Sequence, residues 1–391
     1  MGKFIHYFKL LCILGVFGID VSFAQNETNT NKMDFPEFRI YMSDRQFSRL
    51  QNEKGSKLDF KDAEMRFNGA ATDLKSLHLR GNNTLNYKRK SYSVELSDPI
   101  VMQSIGSAIP LKKFDLLNLA MDKNLWHNRW SFLMLSNLGI FPPFNSYCTV
   151  WVNDVPQGIY LLVEKPQAAS ANLNSPYMVR RGADHAIDHE YIETDSKEAI
   201  KKYRKQYYDL YRTGKMEANM LYDHLSHLLH TEAYFKWLGF NYFIKNGDYA
   251  DELFLYISPK TELFEVMAWD YDDLLMDYPH EGKVARNQYY RERMIFSLED
   301  DLDRTIAADD FVYDRYKEVF KPLLQAMDST LLNTMKNKVL GELEILSQNP
   351  VNGRVTKYLD KDEFVLEEAI FDLERTLNFL QLRRTVLLDG L

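Results

Sequence analysis

The chain is 391 residues long, with 45% hydrophobic and 14% aromatic residues, among them 24 Tyr and 24 Phe. Such a composition supports a large packed core and excludes a disordered chain. A formal charge of −8 excludes the basic footprint of a nucleic-acid binder, so no nucleic-acid partner is expected.

Residues 1–24 read as a secretory signal peptide. Lys3 and Lys9 precede an apolar run over 10–19, and Ser22-Phe23-Ala24 resembles a small-residue cleavage site before Gln25. The run is too short to span a bilayer, and no other run approaches the roughly 20 apolar residues a spanning helix needs. An exported protein is therefore expected, periplasmic, cell-surface or secreted, with no membrane span in the mature chain. Loss of two lysines and one aspartate takes the mature charge to −9. Cys12 falls within the signal, where Lys9-Leu10-Leu11 does not form a lipoprotein processing box. Cys148 is left as the only mature cysteine, which excludes an intramolecular disulfide and suits buried packing in strand-like Tyr147-Cys148-Thr149-Val150.

Residues 25–35 form a polar lead, and strand signals dominate from there to residue 166. Leu77 and Leu79 alternate with His78 and Arg80, then Tyr92, Val94 and Leu96 alternate with Ser91, Ser93 and Glu95. Two strands therefore flank the loop 81–87. Lys90 opens the second of them, within reach of a nucleotide phosphate, although by pattern alone an edge-strand lysine kept in water is the favoured account. Residues 122–139 predict a helix, with Asp122 as N-cap, Leu125, Trp130, Leu133 and Leu135 as its apolar set, and Gly139 as terminator. No Glu lies within it, and Arg129 is suited to ion pairing. Segments 147–152 and 159–164 predict a hairpin around 153–158.

Beyond residue 167 the pattern turns helical. Asp184, His185, Asp188 and His189 lack a recognised metal-ligand spacing and read as a polar loop. Residues 197–211 predict a charged, Tyr-rich helix. His224, His227 and His230 share a helical face and read as a surface or packing stripe. The helix 231–245, with Tyr234, Phe235, Trp237, Leu238 and Phe240, delivers the chain to Asn246. Downstream, His280-Glu281-Gly282-Lys283 and Arg286 form a polar segment, and Ser297 is expected to cap a helix that opens on the acidic run 299–303. The remainder is helical scaffold, ending over 367–388 with Leu373, Leu377 and Leu380 on one face.

The stretch 246–272, NGDYADELFLYISPKTELFEVMAWDYD, carries the chemistry. Leu253, Leu255 and Ile257 alternate with Phe254 and Tyr256, Pro259-Lys260-Thr261 makes a turn, and Phe264, Val266 and Ala268 alternate on the way back. Two acidic clusters meet at one end of this hairpin, which is the arrangement phosphoryl transfer uses in the protein-kinase fold. Periodicity alone fits an acidic pair of turns at a sheet end equally well. No Walker-type phosphate loop and no kinase Gly-rich loop is present; Gly81 is a lone glycine suited to a tight turn.

Asp248 followed by Glu252, and Trp269-Asp270-Tyr271-Asp272, resemble the signature of the CotH kinase family. Leu79-Arg80-Gly81-Asn82-Asn83-Thr84 through Lys90-Ser91-Tyr92-Ser93-Val94, and Gly158-Ile159-Tyr160-Leu161-Leu162-Val163-Glu164, resemble two further segments of that family in the right order. The resemblance implies an α+β, bilobal protein-kinase-like fold, with a strand-rich N-terminal lobe over 36–166 and a mainly helical C-terminal lobe over 167–391. It also implies ATP with Mg²⁺ or Mn²⁺. Asp248 would orient the acceptor hydroxyl, while Asp270, Asp272 and Glu252 would hold the metal, with Asp251 as a substitute for Glu252. Lys90 would bind phosphate, shared with Lys88 or Arg89, Arg80 is placed with the cofactor, and Glu164 marks the inter-lobe connection where adenine meets backbone. Glu252 departs from the Asn of kinases and many relatives and adds a negative charge. The leading expectation is an exported kinase acting on Ser or Thr hydroxyls of surface or secreted proteins. The alternatives are a kinase-fold nucleotidyltransferase and a catalytically inactive surface or adhesin binding protein.

Overall fold

The alternation of Leu77 and Leu79 with His78 and Arg80 builds the edge strand of a large sheet. A computed structural model describes residues 35–391 apart from 54, 105–106, 123, 183–184, 214–215, 217, 281–292 and 350–363. The proposed signal peptide, Asp184, Glu281, Gly282, Lys283 and Arg286 lie outside the described residues. Phe35–Leu391 forms one compact unit of α+β class.

Eight strands make the first sheet: β1 (Glu37–Tyr41), β2 (Glu64–Phe67), β3 (Ala70–Thr72), β4 (Leu74–Arg80), β5 (Ser91–Ser104), β6 (Ser107–Leu117), β7 (Asn145–Val152) and β8 (Val155–Glu164). Their order is β3-β2-β1-β7-β8-β6-β5-β4, antiparallel throughout except where β1 meets β7. Leu77 pairs with Val94 and Arg80 with Ser91, so the two expected alternating strands are partners. Their apolar residues share one face with Phe114, Leu116, Val150 and Leu162 and build a core with Phe38, Ile40 and Leu50 of helix α1 (Asp44–Asn52). Cys148 is fully buried there, as packing requires. On the opposite face, Tyr147, Ile159, Leu161 and Val163 join a second core. Asp115 pairs with Val163 and with Ser93, so farther along that face β4, β5 and β6 present a polar strip of His78, Arg80, Ser91, Ser93 and Asp115. The β7–β8 turn needs only Asn153 and Asp154, at φ 47° and 59°, the left-handed pair that matches strand twist.

The predicted hairpin forms as β11 (Leu253–Ile257) and β12 (Phe264–Ala268), and two strands absent from the sequence reading, β9 (Tyr177–Arg181) and β10 (Ile187–Ile192), extend it to a second sheet ordered β10-β9-β11-β12. Helices surround it: α2 (His127–Asn137), α3 (Pro166–Asn172), α4 (Lys197–Asp209), α5 (Ala218–Ser226), α6 (Thr231–Ile244), α7 (Asp301–Ala308), α8 (Asp310–Ala326), α9 (Ser329–Gln348) and α10 (Leu366–Asp389). Helix α6 is apolar nearly all round and accordingly buried on all sides. Among the described residues no helix is long and apolar enough to cross a membrane.

Two helix starts differ from expectation. Helix α2 begins at His127, because Leu125 stands at φ 63° and breaks the run. Asp122 nevertheless serves that helix at a distance, its Oδ2 accepting from the Asn128 N–H at 3.2 Å. Helix α7 is capped by Asp300, whose Oδ1 accepts from Leu302 N–H at 2.9 Å, whereas the Ser297 backbone is tied to Tyr249. Arg129 does form an ion pair: its guanidinium grips both oxygens of Glu342 on α9, at 2.7 and 2.8 Å, with both side chains largely buried.

An acidic candidate active site

Because Leu253 pairs with Ala268, the loop before β11 and the loop after β12 leave the second sheet at the same end. Helix α6 stops at Lys245, which takes a left-handed conformation at φ 53°. The loop that follows is held from several sides. Asn246 Oδ1 accepts from the Asp248 N–H at 3.2 Å, Gly247 N–H donates to Asp273 O at 2.8 Å, and His280 N–H donates to Gly247 O at 2.9 Å. Beneath it, fully buried Arg181 donates from Nε to Ala250 O at 2.6 Å and pairs with Asp300 and Asp303 at 3.3 and 3.4 Å. Tyr249 O–H donates to Ser297 O at 3.0 Å. These ties fix the loop on the rigid second core rather than leaving its acids mobile.

Between the polar strip of the first sheet and this end of the hairpin lies a cleft of about 640 Å³. Arg80, Ser91 and Asn118 line it from the first sheet, and Asp122 and Asn128 from the approach to α2. Arg180 of β9 enters beside the acids Asp248, Glu252, Asp270, Asp272 and Asp273, with His280 next to them. Asp270 stands at φ 43°, a left-handed conformation that Asp tolerates and that turns the chain directly after β12.

Crowding of like charges dominates the electrostatics. Burial and neighbouring Asp251 push the Asp248 carboxyl up to about 6, although His280 pulls the other way. Burial together with Asp270 and Asp273 lifts Asp272 to about 9. Asp270 and Glu252 are raised as well, burial being the main cause in each, with Arg80 countering it for Asp270 and Arg180 for Glu252. Arg80 is the opposing cation. Its Nη1 lies 3.2 Å from Asp115 Oδ2, its guanidinium sits 5.9 Å over the Trp269 ring, and Asp115, Asp270 and Glu252 raise its pKa against the effect of burial. Ser93 Oγ donates to the other Asp115 oxygen at 2.8 Å, which orients that acid.

A hard divalent cation fits this donor set. Among the described residues Glu252 Oε2 is buried without a hydrogen-bond partner, and oxygen ligands on several carboxylates are what Mg²⁺ and Mn²⁺ take. Asp248, Asp273 and His280 each offer a ligand atom within 4.8 Å of the others, His280 Nδ1 lying 3.6 Å from Asp248 and Nε2 3.5 Å from Asp273.

The structure thus brings Asp248, Glu252, Asp270, Asp272 and Arg80 to one cleft. Lys90 and Glu164 are elsewhere. Lys90 Nζ donates to the Leu85 carbonyl at 2.6 Å, and neighbouring Arg89 is buried against Tyr160. Glu164 is buried at the end of β8, accepting from Asn172 Nδ2 at 2.7 Å, and burial pushes its carboxyl up to about 7. Arg180, Asp115 and Asp273 were missed by sequence reasoning. Asp273 had a signal as the third acid of Asp270-Tyr271-Asp272-Asp273, but nothing local marks Arg180 or Asp115, which reach the cleft through strand register. The histidine stripe has structural partners: His224 and His227 meet the Asp209 and Asp223 carbonyls, and His230 caps α6. Asp188 and His189 lie in the cleft lining, and His185 meets Asp301 at 2.9 Å.

An α+β chain whose acid-flanked hairpin faces a cation across such a cleft has the make-up of a kinase-like protein. The chain belongs to the CotH kinase protein family, whose model matches residues 77–362. It is similar to the inner spore coat protein H of Bacillus subtilis (strain 168), at 23% identity over 266 residues, 62% of this chain and 69% of that protein. Among solved structures it is similar to the Helicobacter pylori proinflammatory kinase CtkA, at 9% identity over 73% of this chain and 94% of that one, with a TM-score of 0.30. That likeness is too slight to bear on the fold.

Proposed function

We propose that this protein is an exported kinase that transfers the γ-phosphoryl group of ATP to Ser or Thr hydroxyls of a surface or secreted protein. The convergence of Asp248, Glu252, Asp270 and Asp272 on one cleft opposite Arg80 carries the reading. Phosphoryl transfer asks the protein for positioning and charge, and little covalent work. Asp248 accepts the proton of the acceptor hydroxyl; raised to about 6, it is ionised at neutral pH yet more basic than an ordinary Asp. Asp270, Asp272 and Glu252 would hold the divalent cation, which would supply charge neutralisation at the phosphates. Arg80, oriented by Asp115, supplies the fixed positive charge on the other wall, a task for which Lys90, tied to Leu85, is poorly placed. Neither Lys90 nor Glu164 lines the cleft, so no nucleotide contact is placed on their side chains. A two-lobed, protein-kinase-like frame is part of the same proposal; the core around the second sheet also takes in α2 and the Tyr147, Ile159, Leu161 and Val163 face of the first sheet, so packing does not divide at residue 166.

The test is incubation of the mature chain with γ-labelled or α-labelled ATP, Mg²⁺ or Mn²⁺ and a generic acceptor protein, beside Asp270→Ala. Label from the γ position alone, lost in Asp270→Ala, is the expected result. Label from the α position would replace the kinase with a nucleotidyltransferase, and absence of metal-dependent nucleotide binding would favour a binding protein. Export belongs to the same proposal: a secreted form should begin at Gln25, and a chain retaining residues 1–24 outside the cell would remove that part.

A further inference from the structure

We propose that Arg180 is the positioning residue that holds Glu252 in the cleft and leaves its second carboxylate oxygen for a bound divalent cation. The inference rests on the metal reading of the cleft given above. Arg180 lies opposite Phe254 in the β9–β11 ladder, and its guanidinium reaches Glu252, which directly precedes β11. Three contacts hold it there. Nη2 meets Glu252 Oε1 at 2.8 Å, Nε donates to the Asp251 carbonyl at 3.2 Å, and Nε lies 3.6 Å from Asp188 Oδ2 on β10.

The chemistry follows from what surrounds Glu252. Arg180 is the cation in hydrogen-bond contact with it. With Oε1 engaged by the guanidinium, Oε2 is left buried and, among the described residues, without a hydrogen-bond partner, a costly state that a cation in the cleft would relieve. The fixed fork of Arg allows one side chain to hold the backbone of Asp251 and the carboxylate of Glu252 together, which the single ammonium of Lys would do less well. A cation–carboxylate pair therefore stands where a lone extra negative charge would otherwise sit.

The experiment titrates Mn²⁺ calorimetrically into the full chain and into Arg180→Gln, Arg180→Lys, Glu252→Gln, Asp270→Ala and the Arg180→Gln/Glu252→Gln double variant, with metal-free thermal midpoints beside each. Arg180→Gln should lose about tenfold or more in Mn²⁺ affinity, the range for residues that support metal ligands. Arg180→Lys should lose less, and the double variant should be no weaker than the worse single, because the pair acts as one unit. Unchanged Mn²⁺ affinity in Arg180→Gln, or additive losses in the double variant, would overturn the inference. If Arg180→Gln fails to fold, Arg180→Lys decides: a severalfold loss supports the role, and wild-type affinity rejects it. Wild-type Mn²⁺ binding that is absent, or indifferent to Asp270→Ala, would overturn the metal reading and this inference with it.

Discussion

Asp248 and Asp272 are the same residue type, yet one is pushed up to about 6 and the other to about 9. Asp248 has His280 3.6 Å away, which favours its charge, whereas burial with Asp270 and Asp273 beside it raises Asp272. The difference separates their roles: Asp248 is free of its proton at neutral pH, and Asp272 becomes a carboxylate there only with positive charge beside it. Turnover should therefore fall as pH drops through about 6, because the base form of Asp248 is lost. A pH–rate profile that stays flat from pH 5 to 8 would reject Asp248 as the base. Asp248→Asn should lower kcat by about 10²–10⁴-fold.

Packing of whole elements holds these residues in place. Gly239 lets α6 lie against α8 so closely that a Cβ there would come 2.5 Å from the Phe320 ring. Gly239→Ala should cost about 1–3 kcal/mol in urea unfolding, the usual penalty of overpacking, and an unaffected midpoint would show that the ring moves freely aside. The Arg129–Glu342 pair ties α2 to α9, and Glu342→Ala leaves a buried guanidinium without its anion. A loss of about 3–5 kcal/mol is expected from denaturant titration. Strands β4 and β5 were legible because one face of each meets a core and a period of two survives in the residues, and the β11–β12 hairpin because two short apolar runs, each buried on both faces, flank the turn residues Pro259-Lys260-Thr261. Strands β9 and β10 were not: β9 is short and buried on both faces, so Tyr177-Met178-Val179-Arg180-Arg181 shows no alternation.

Several carboxylates facing one cleft make stability of the whole molecule depend on pH. The raised carboxyls of Asp248 and Asp272, near 6 and 9, stand above the roughly 3.9 of an unfolded Asp. Between those limits the folded chain holds more protons than the unfolded one. Their stabilising contribution is complete below about pH 4 and is lost as pH rises through 6 and then 9. Buried Glu164, near 7, acts in the same direction. The thermal midpoint of the metal-free chain should thus fall between pH 6 and 9, and Mn²⁺ should restore it most at the upper end. At a hundredfold excess over its dissociation constant the cation would add about 2.7 kcal/mol. A metal-free midpoint that rises across that interval would count against the repulsion.

Local patterning was enough to place the hairpin, the acids before and after it, and the strands flanking residue 81, which are short-range features whose side chains need only their own element to be read. The choice of cation was not local. Lys90 and Arg80 both stand beside the same loop, and their opposite destinations follow from strand parity, which turns Arg80 toward the acids while Lys90 folds back on Leu85. Arg180 and Asp115 reach the cleft only because β9 pairs with β11 and β6 with β5, contacts between residues far apart in the chain. Charge balance in a buried site depends on such distant neighbours, since burial strengthens every interaction within it, and no window of sequence contains them.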